Sequence, residues 1–96
     1  MKTIDLLIAR FGASPSIPFE QGAEYLQYHP ETLRQKIDGG AIRLMYFFLE
    51  DEGANNRRSQ KAQKYLSLVE LAELIDQKIT ASRDEFEILW EEMNAA

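Results

Sequence analysis

Two prolines and a glycine pair punctuate the middle of this 96-residue chain so tightly that few folds remain open to it. Ile17 precedes Pro18 and is driven toward an extended backbone, whereas Pro18 suits the first turn of a helix, where a missing N–H costs nothing. The helix that follows turns Phe19, Ala23 and Leu26 to one side. A three-residue turn, 27–29, leads to Pro30, which opens a second short helix with Leu33 and Ile37 on one face; Gly39 and Gly40 close it with a left-handed cap. Two short helices about such a turn read as a helix-turn-helix. Residues 42–49, IRLMYFFL, then read as a strand, and residues 65–68 as the partner strand returning beside it. Helix, turn, helix and hairpin, in that order, are the elements of a winged helix.

The flanks of this middle are helical. Ile4, Leu7, Ile8 and Phe11 recur at the spacing of one helix face, and Gly12 with Ser14-Pro15 ends that helix. Ser67 followed three residues later by Glu70 is a capping box, which starts a last helix near Leu68 that runs to about Asn94. Leu71, Leu74 and Ile75 face the domain, and Ile75, Ile79, Ser82, Phe86, Leu89 and Met93 continue as a heptad-like seam. A domain this small has little surface with which to cover so long a stripe, so a second copy of the chain is the expected partner. The alternative is that the stripe folds back on the Ile4, Leu7, Ile8, Phe11 face. The expectation is one domain over 1–96, mainly α with a small β-hairpin: an N-terminal helix (1–13), a winged helix-turn-helix (17–68) and a C-terminal helix (68–94).

Charge is distributed unevenly along this order. The chain carries a net charge of -5, yet residues 28–64 hold seven basic residues against five acidic ones, while residues 65–96 hold Lys78 and Arg83 against eight carboxylates. Within the middle, GANNRRSQKAQK has no carboxylate and presents Asn55, Asn56, Arg57, Arg58, Ser59, Gln60, Lys61 and Lys64 between the two expected strands. Lys and Arg on such a wing suit backbone phosphates, whose neutralisation releases counterions; a solvated hairpin loop is the plainer alternative. With Leu33 and Ile37 inward, Thr32, Arg34, Gln35 and Lys36 lie on the outer face or flanks of the second helix. Arg34 suits guanine and Gln35 adenine, whereas Thr32 and Lys36 suit a phosphate or a thymine methyl. Arg34 bridging to Glu31 or Asp38 is the alternative for that side chain.

Other chemistries find no support in the residues. The chain has no cysteine and a single histidine, His29, which argues against a zinc site, a thiol nucleophile or a histidine-centred catalytic constellation. No glycine-rich phosphate loop occurs, and no apolar run approaches the roughly 20 residues of a membrane span. Asp5 and Arg10 interrupt the apolar start, so it does not read as a signal peptide, and a cytoplasmic location is expected. No enzyme activity, cofactor, metal or small-molecule substrate is expected. Tyr25, Tyr28, Tyr46, Phe47 and Phe48 could stack on single-stranded bases, but a half-buried strand also places such rings in a core.

Met1, Thr3, Leu6-Leu7, Ala9, Phe11-Gly12, Ile17-Pro18 with Glu20, Thr32-Leu33 before Gly40 and Ile42, Ser59-Gln60-Lys61-Ala62, and Leu71-Ala72 with Ile75-Asp76 resemble, in order and spacing, the pyocin activator (PrtN) family of small phage- and bacteriocin-associated transcription activators. The stretch HPETLRQKIDGGAI is similar also to the wider group of excisionase- and MerR-like DNA-binding domains. The chain departs from these patterns at Leu44-Met45, where a proline would follow the leucine, and at Gln27, where such turns often carry glycine. The resemblance implies an activator of prophage or bacteriocin-like genes; with the helix-turn-helix, the basic wing and the seam, the expectation is sequence-specific binding of duplex DNA at repeated promoter elements as a homodimer, with RNA polymerase as a further candidate partner. An excisionase-like architectural protein is one alternative. A protein-binding adaptor or DNA mimic, carried by the acidic last third, is another.

Overall fold

The computed structural model describes residues 1–49 and 62–95. In chain order come α1 (Thr3–Phe11), β1 (Ser16–Pro18), α2 (Phe19–Tyr25), α3 (Pro30–Asp38), β2 (Tyr46–Phe48), β3 (Lys64–Ser67) and α4 (Leu68–Asn94). Among the described residues the fold is α+β: four helices and one antiparallel sheet of order β1-β3-β2.

The sheet departs from the expected two-stranded hairpin. Ile17 pairs with Leu66 across β1 and β3, and Leu66 pairs with Tyr46 across β3 and β2, so β3 is the central strand. A strand ending in Pro18 is tolerated because β1 lies at an edge, where one side of its backbone needs no ladder partner. The proline that was expected inside the first turn of α2 stands instead as its cap, with an extended backbone (φ -56°, ψ 142°). On the other edge only Tyr46–Phe48 pairs, not the whole of 42–49, because Ala41 and Ile42 donate their amides to the Lys36 carbonyl and remain part of the closure of α3.

Leu66 lies fully buried at the middle of the sheet, against α2. Gly22 makes that approach close: a Cβ there would sit 2.4 Å from Leu66 Cδ1, so a larger residue fits only if the buried Leu66 side chain gives way. Leu7 from α1, Phe19 and Ala23 from α2, Leu33 from α3, and Leu68 and Leu71 from α4 complete the same core. No polar or charged side chain among the described residues is buried.

Ser67 caps α4 as its spacing with Glu70 implies, its Oγ accepting from the Glu70 amide at 3.3 Å. Helix α1 docks along the first turns of α4, where the Thr3 hydroxyl donates to the Asp76 carboxylate. Ile4, Phe11 and Ile75 pack against the core beside fully buried Leu7, whereas Ile8 lies at the margin. From Asp76 to Ala95 every residue of the chain is exposed. The apolar stripe therefore does not fold back on α1 beyond Ile75: Ile79 is 50% exposed, Phe86 61%, Leu89 57% and Met93 77%.

Candidate nucleic-acid interface

The geometry of α2 and α3 is set by two cap structures of the same kind. At the end of α2 the Gln27 amide donates to the Glu24 carbonyl and the Tyr28 amide to the Ala23 carbonyl, both at 2.9 Å. At the end of α3 the Gly40 amide reaches Ile37 O at 3.1 Å and the Ala41 amide reaches Lys36 O at 2.8 Å. These are the paired bonds of a Schellman closure, which needs a left-handed residue beyond the cap. Gly40 (φ +82°) supplies one without strain, and Gln27 (φ +65°) supplies the other with a side chain in place. His29 then starts α3, its Nδ1 accepting from the Glu31 amide at 3.3 Å, with Pro30 in the first turn.

With Leu33 fully buried and Ile37 half-buried, Thr32, Gln35 and Lys36 project into solvent. Arg34 does not project freely. Its Nε donates to Glu31 Oε2 at 3.1 Å, its second terminal nitrogen to Glu31 Oε1, and its first to Asp38 Oδ2 at 2.8 Å. The guanidinium is thus held in a fork between two carboxylates, the arrangement set beside base contact as its alternative. Hydrogen bonding from Arg34 holds the Glu31 carboxyl below the usual carboxylate range, and the reciprocal bond raises the Arg34 pKa. Asp38 Oδ1 also accepts from the Tyr46 hydroxyl at 2.7 Å, so the chain of contacts runs from α3 onto β2.

Asn55, Asn56, Arg57, Arg58, Ser59, Gln60 and Lys61 lie outside the described residues. Lys64 is described: it occupies the first position of β3, opposite Phe48, with its Nζ 5.8 Å from the centre of the Phe48 ring. The rings on these strands split between roles. Tyr46 packs edge-on to Phe19 of the core at 5.6 Å, while Phe47 lies 5.9 Å from Tyr65, both rings half-buried. They serve the sheet's packing rather than a single open stacking surface.

Two roles escaped the sequence reading. Tyr46 ties β2 to α3 through Asp38, which no spacing rule reveals, because the contact depends on how the strand packs. Arg43, exposed between α3 and β2, adds a further basic group to the stretch between the candidate helix and the hairpin. The seam residues Ile75, Ile79, Phe86, Leu89 and Met93 fall on α4, with Ile75 half-buried at the body and the others in solvent. Among the described residues no group of acidic or histidine side chains is arranged to hold a metal ion, and no helix is long and apolar enough to cross a membrane.

The sequence profile of a family described as pyocin activator protein PrtN matches residues 3–82. No curated protein and no solved structure matches the chain.

Proposed function

The chain belongs to the pyocin activator PrtN family, and from that premise we propose that it is a sequence-specific duplex-DNA-binding activator of pyocin-like or prophage genes, built as a winged helix-turn-helix and acting as a homodimer. The observation that carries this reading is the exposed Thr32, Gln35, Lys36 face of α3, held at a fixed angle to α2 by the closure at Gln27 and followed directly by a β-hairpin. An α-helix presented in this way fits the major groove, and the hairpin's connection is then the wing.

In this reading Gln35 meets adenine, Thr32 and Lys36 meet phosphate or a thymine methyl, and Arg34 contributes only by exchanging its two carboxylates for a base or phosphate. The segment from Asn55 to Gln60, with Lys61 and Lys64, supplies the backbone contacts. Ile75, Ile79, Phe86, Leu89 and Met93 join two copies. Nothing in this mechanism calls for catalysis or a cofactor, and the family is one of activators, not enzymes.

The test is selection of bound duplexes from a random pool at stated salt, followed by titration of the selected site. A common sequence element, with log K falling linearly in log salt, is expected. Replacing Arg57, Arg58, Lys61 and Lys64 by Ala should lower that slope by roughly one unit per lost phosphate contact. An unchanged slope would remove the wing from the interface. If no duplex binds while a polymerase, repressor or nuclease does, the acidic-adaptor reading replaces this one.

A further inference from the structure

The exposed stripe of α4 continues the seam by which this helix is buried in its own domain. Leu68, Ala72 and Ile75 step along one face by four and three residues, and this face lies against the body, with Leu68 at 1% and Ala72 at 5% exposure. Ile79, Ser82, Phe86, Leu89 and Met93 continue the same alternation on the same face, past the point where the body ends. Trp90 widens it: its ring stacks on Phe86 at 6.1 Å and 22°, and both are more than half exposed. A contiguous apolar ledge of this kind is a surface awaiting a partner.

Building on the homodimer reading, we propose that this overhang pairs with the same segment of a second copy running antiparallel, with the two-fold axis beside Asp84. Three observations on this molecule select the arrangement. The first is steric: the body already occupies the seam face at Leu68 and Ala72. A parallel partner helix would have to run through that space, and the two bodies would collide. The second is extent. Centring the pair at Asp84 sets Ile75 against the partner's Met93, Ile79 against the partner's Leu89, and Ser82 against the partner's Phe86. Shifting the partner one heptad toward the body would press the partner's Leu89 onto Ala72, which is already buried. Shifting it one heptad away would leave Ile79 in water.

The third is charge. Lys78 and Arg83 are the only basic residues of α4. The antiparallel register lays Lys78 beside the partner's Glu92, twice by symmetry, whereas a parallel coil would set Lys78 beside the partner's Arg83. Glu85 and Arg83 each meet their own symmetry mate at the axis, on opposite flanks, where exposure and salt keep the repulsion small. On the Arg83 flank the partner's Trp90 comes beside Asp76, next to the shallow depression bordered by Met1, Thr3 and Ile4. The N-terminal helix thereby contributes to the interface.

The chain has no cysteine, so single cysteines report the arrangement directly. Chains carrying Lys78→Cys and Glu92→Cys, with tags of different mass, are mixed, and a third variant, Met93→Cys, is kept alone; each is treated with a short bis-maleimide after sedimentation has given its oligomeric state. Both substitutions of the mixed pair leave the apolar seam intact. Mixed dimers joined between residues 78 and 92, with Met93→Cys unjoined, are the expected result. Met93→Cys joining to itself would show a parallel coil and overturn the proposal while leaving the homodimer reading intact, because the antiparallel register holds the two Met93 positions about 27 Å apart. A dimer that neither arrangement joins would place the interface elsewhere. A chain that sediments as a monomer well above micromolar concentration would overturn the homodimer reading and this proposal with it.

Discussion

Gln27 is held in a conformation that its side chain opposes, and relieving it should stabilise the protein. The residue sits at φ +65°, where only glycine is free of Cβ crowding. For an L-residue the left-handed region costs about 1–2 kcal/mol. Glycine escapes that cost but gives up about 0.4–1 kcal/mol through the greater freedom of the unfolded chain. The Gln27 side chain is exposed, and the two closure bonds use only backbone groups. Gln27→Gly should therefore raise stability by about 0.5–1 kcal/mol, a rise in Tm of roughly 2–8 °C for a domain of this size. Urea unfolding followed by circular dichroism is the assay, with the midpoint rising and the slope m unchanged. Gln27→Val is the matched opposite and should fall below wild type, since a β-branched residue tolerates positive φ least. If Gln27→Gly equals or falls below wild type, or Gln27→Ala gains as much as glycine, then backbone strain is not what Gln27 contributes. The angle between α2 and α3 would then need another explanation.

Gly22→Ala should destabilise by about 1–3 kcal/mol, read from the same urea midpoint, because its Cβ would meet Leu66 Cδ1 at 2.4 Å in the middle of the sheet. Gln35→Ala should cost about 1–3 kcal/mol on the selected DNA site and much less on random duplex, measured by competition binding, since only base-edge contacts discriminate. Asp38→Asn, which removes a charge and loosens the fork on Arg34, should raise affinity for random duplex; an unchanged affinity would place Arg34 away from DNA. Glu31→Gln bears on pH. A carboxyl whose pKa is depressed in the fold contributes stability that is complete above its ordinary value of 4.5 and is lost as pH falls through the depressed range. The substitution should therefore leave the pH dependence between 5 and 7 unchanged and flatten the acid limb below it, read from urea midpoints against pH. Phe86→Asp should dissociate the proposed dimer in sedimentation while the melt of the body is preserved, because Phe86 is 61% exposed in the single chain and contributes nothing to its core.

The parts of this fold that the sequence makes legible are those fixed by local chemistry. Gly12, Gly40 and the Ser67–Glu70 pair end or begin helices through backbone geometry and hydrogen bonds within a few residues, so their spacing is sufficient evidence. Leu33 and Ile37 follow from helical period alone. Strand β1 is not legible in this way: three residues ending in a proline carry no strand pattern, and they pair only because β3 lies across from them with Leu66 central. Gly22 reads as an ordinary helix defect until Leu66 is seen against it. At the candidate site, the spacing of Glu31, Arg34 and Asp38 advertises an ion pair within one helix, but the Tyr46 hydroxyl that completes it arrives from a strand eight residues on. Trp90 is missed for a different reason: a strict heptad count selects Leu89 and passes over its neighbour, whereas the stack with Phe86 shows both to belong to the ledge.

The fold turns an imbalance along the chain into a separation in space. The carboxylates of the last third ride on a helix of 27 residues, about 40 Å long, whose first two turns are anchored in the core and whose remainder is exposed. Lys36, Arg43 and Lys64 stay with the body, beside α3 and the hairpin. Like-charge repulsion between α4 and a phosphate backbone is screened within about 8–10 Å at physiological salt, so the helix would not weaken the proposed binding at a distance. In the proposed DNA-binding role it would act on close approach, disfavouring any pose that lays the duplex along α4 and leaving the α3 side as the face of contact. The proposed antiparallel pairing would strengthen this bias. Two-fold symmetry sets two acidic helices side by side between the bodies, and the middle of each buried anchor, near Leu71, lies about 20 Å along the helix from the axis at Asp84. The bodies are then roughly 40 Å apart, on the scale of one duplex turn of about 34–36 Å, which is the spacing at which two readers reach successive major grooves from one side. A two-fold pair reads an inverted repeat, so in the proposed dimer the seam that joins the copies would also fix the symmetry of the DNA they recognise.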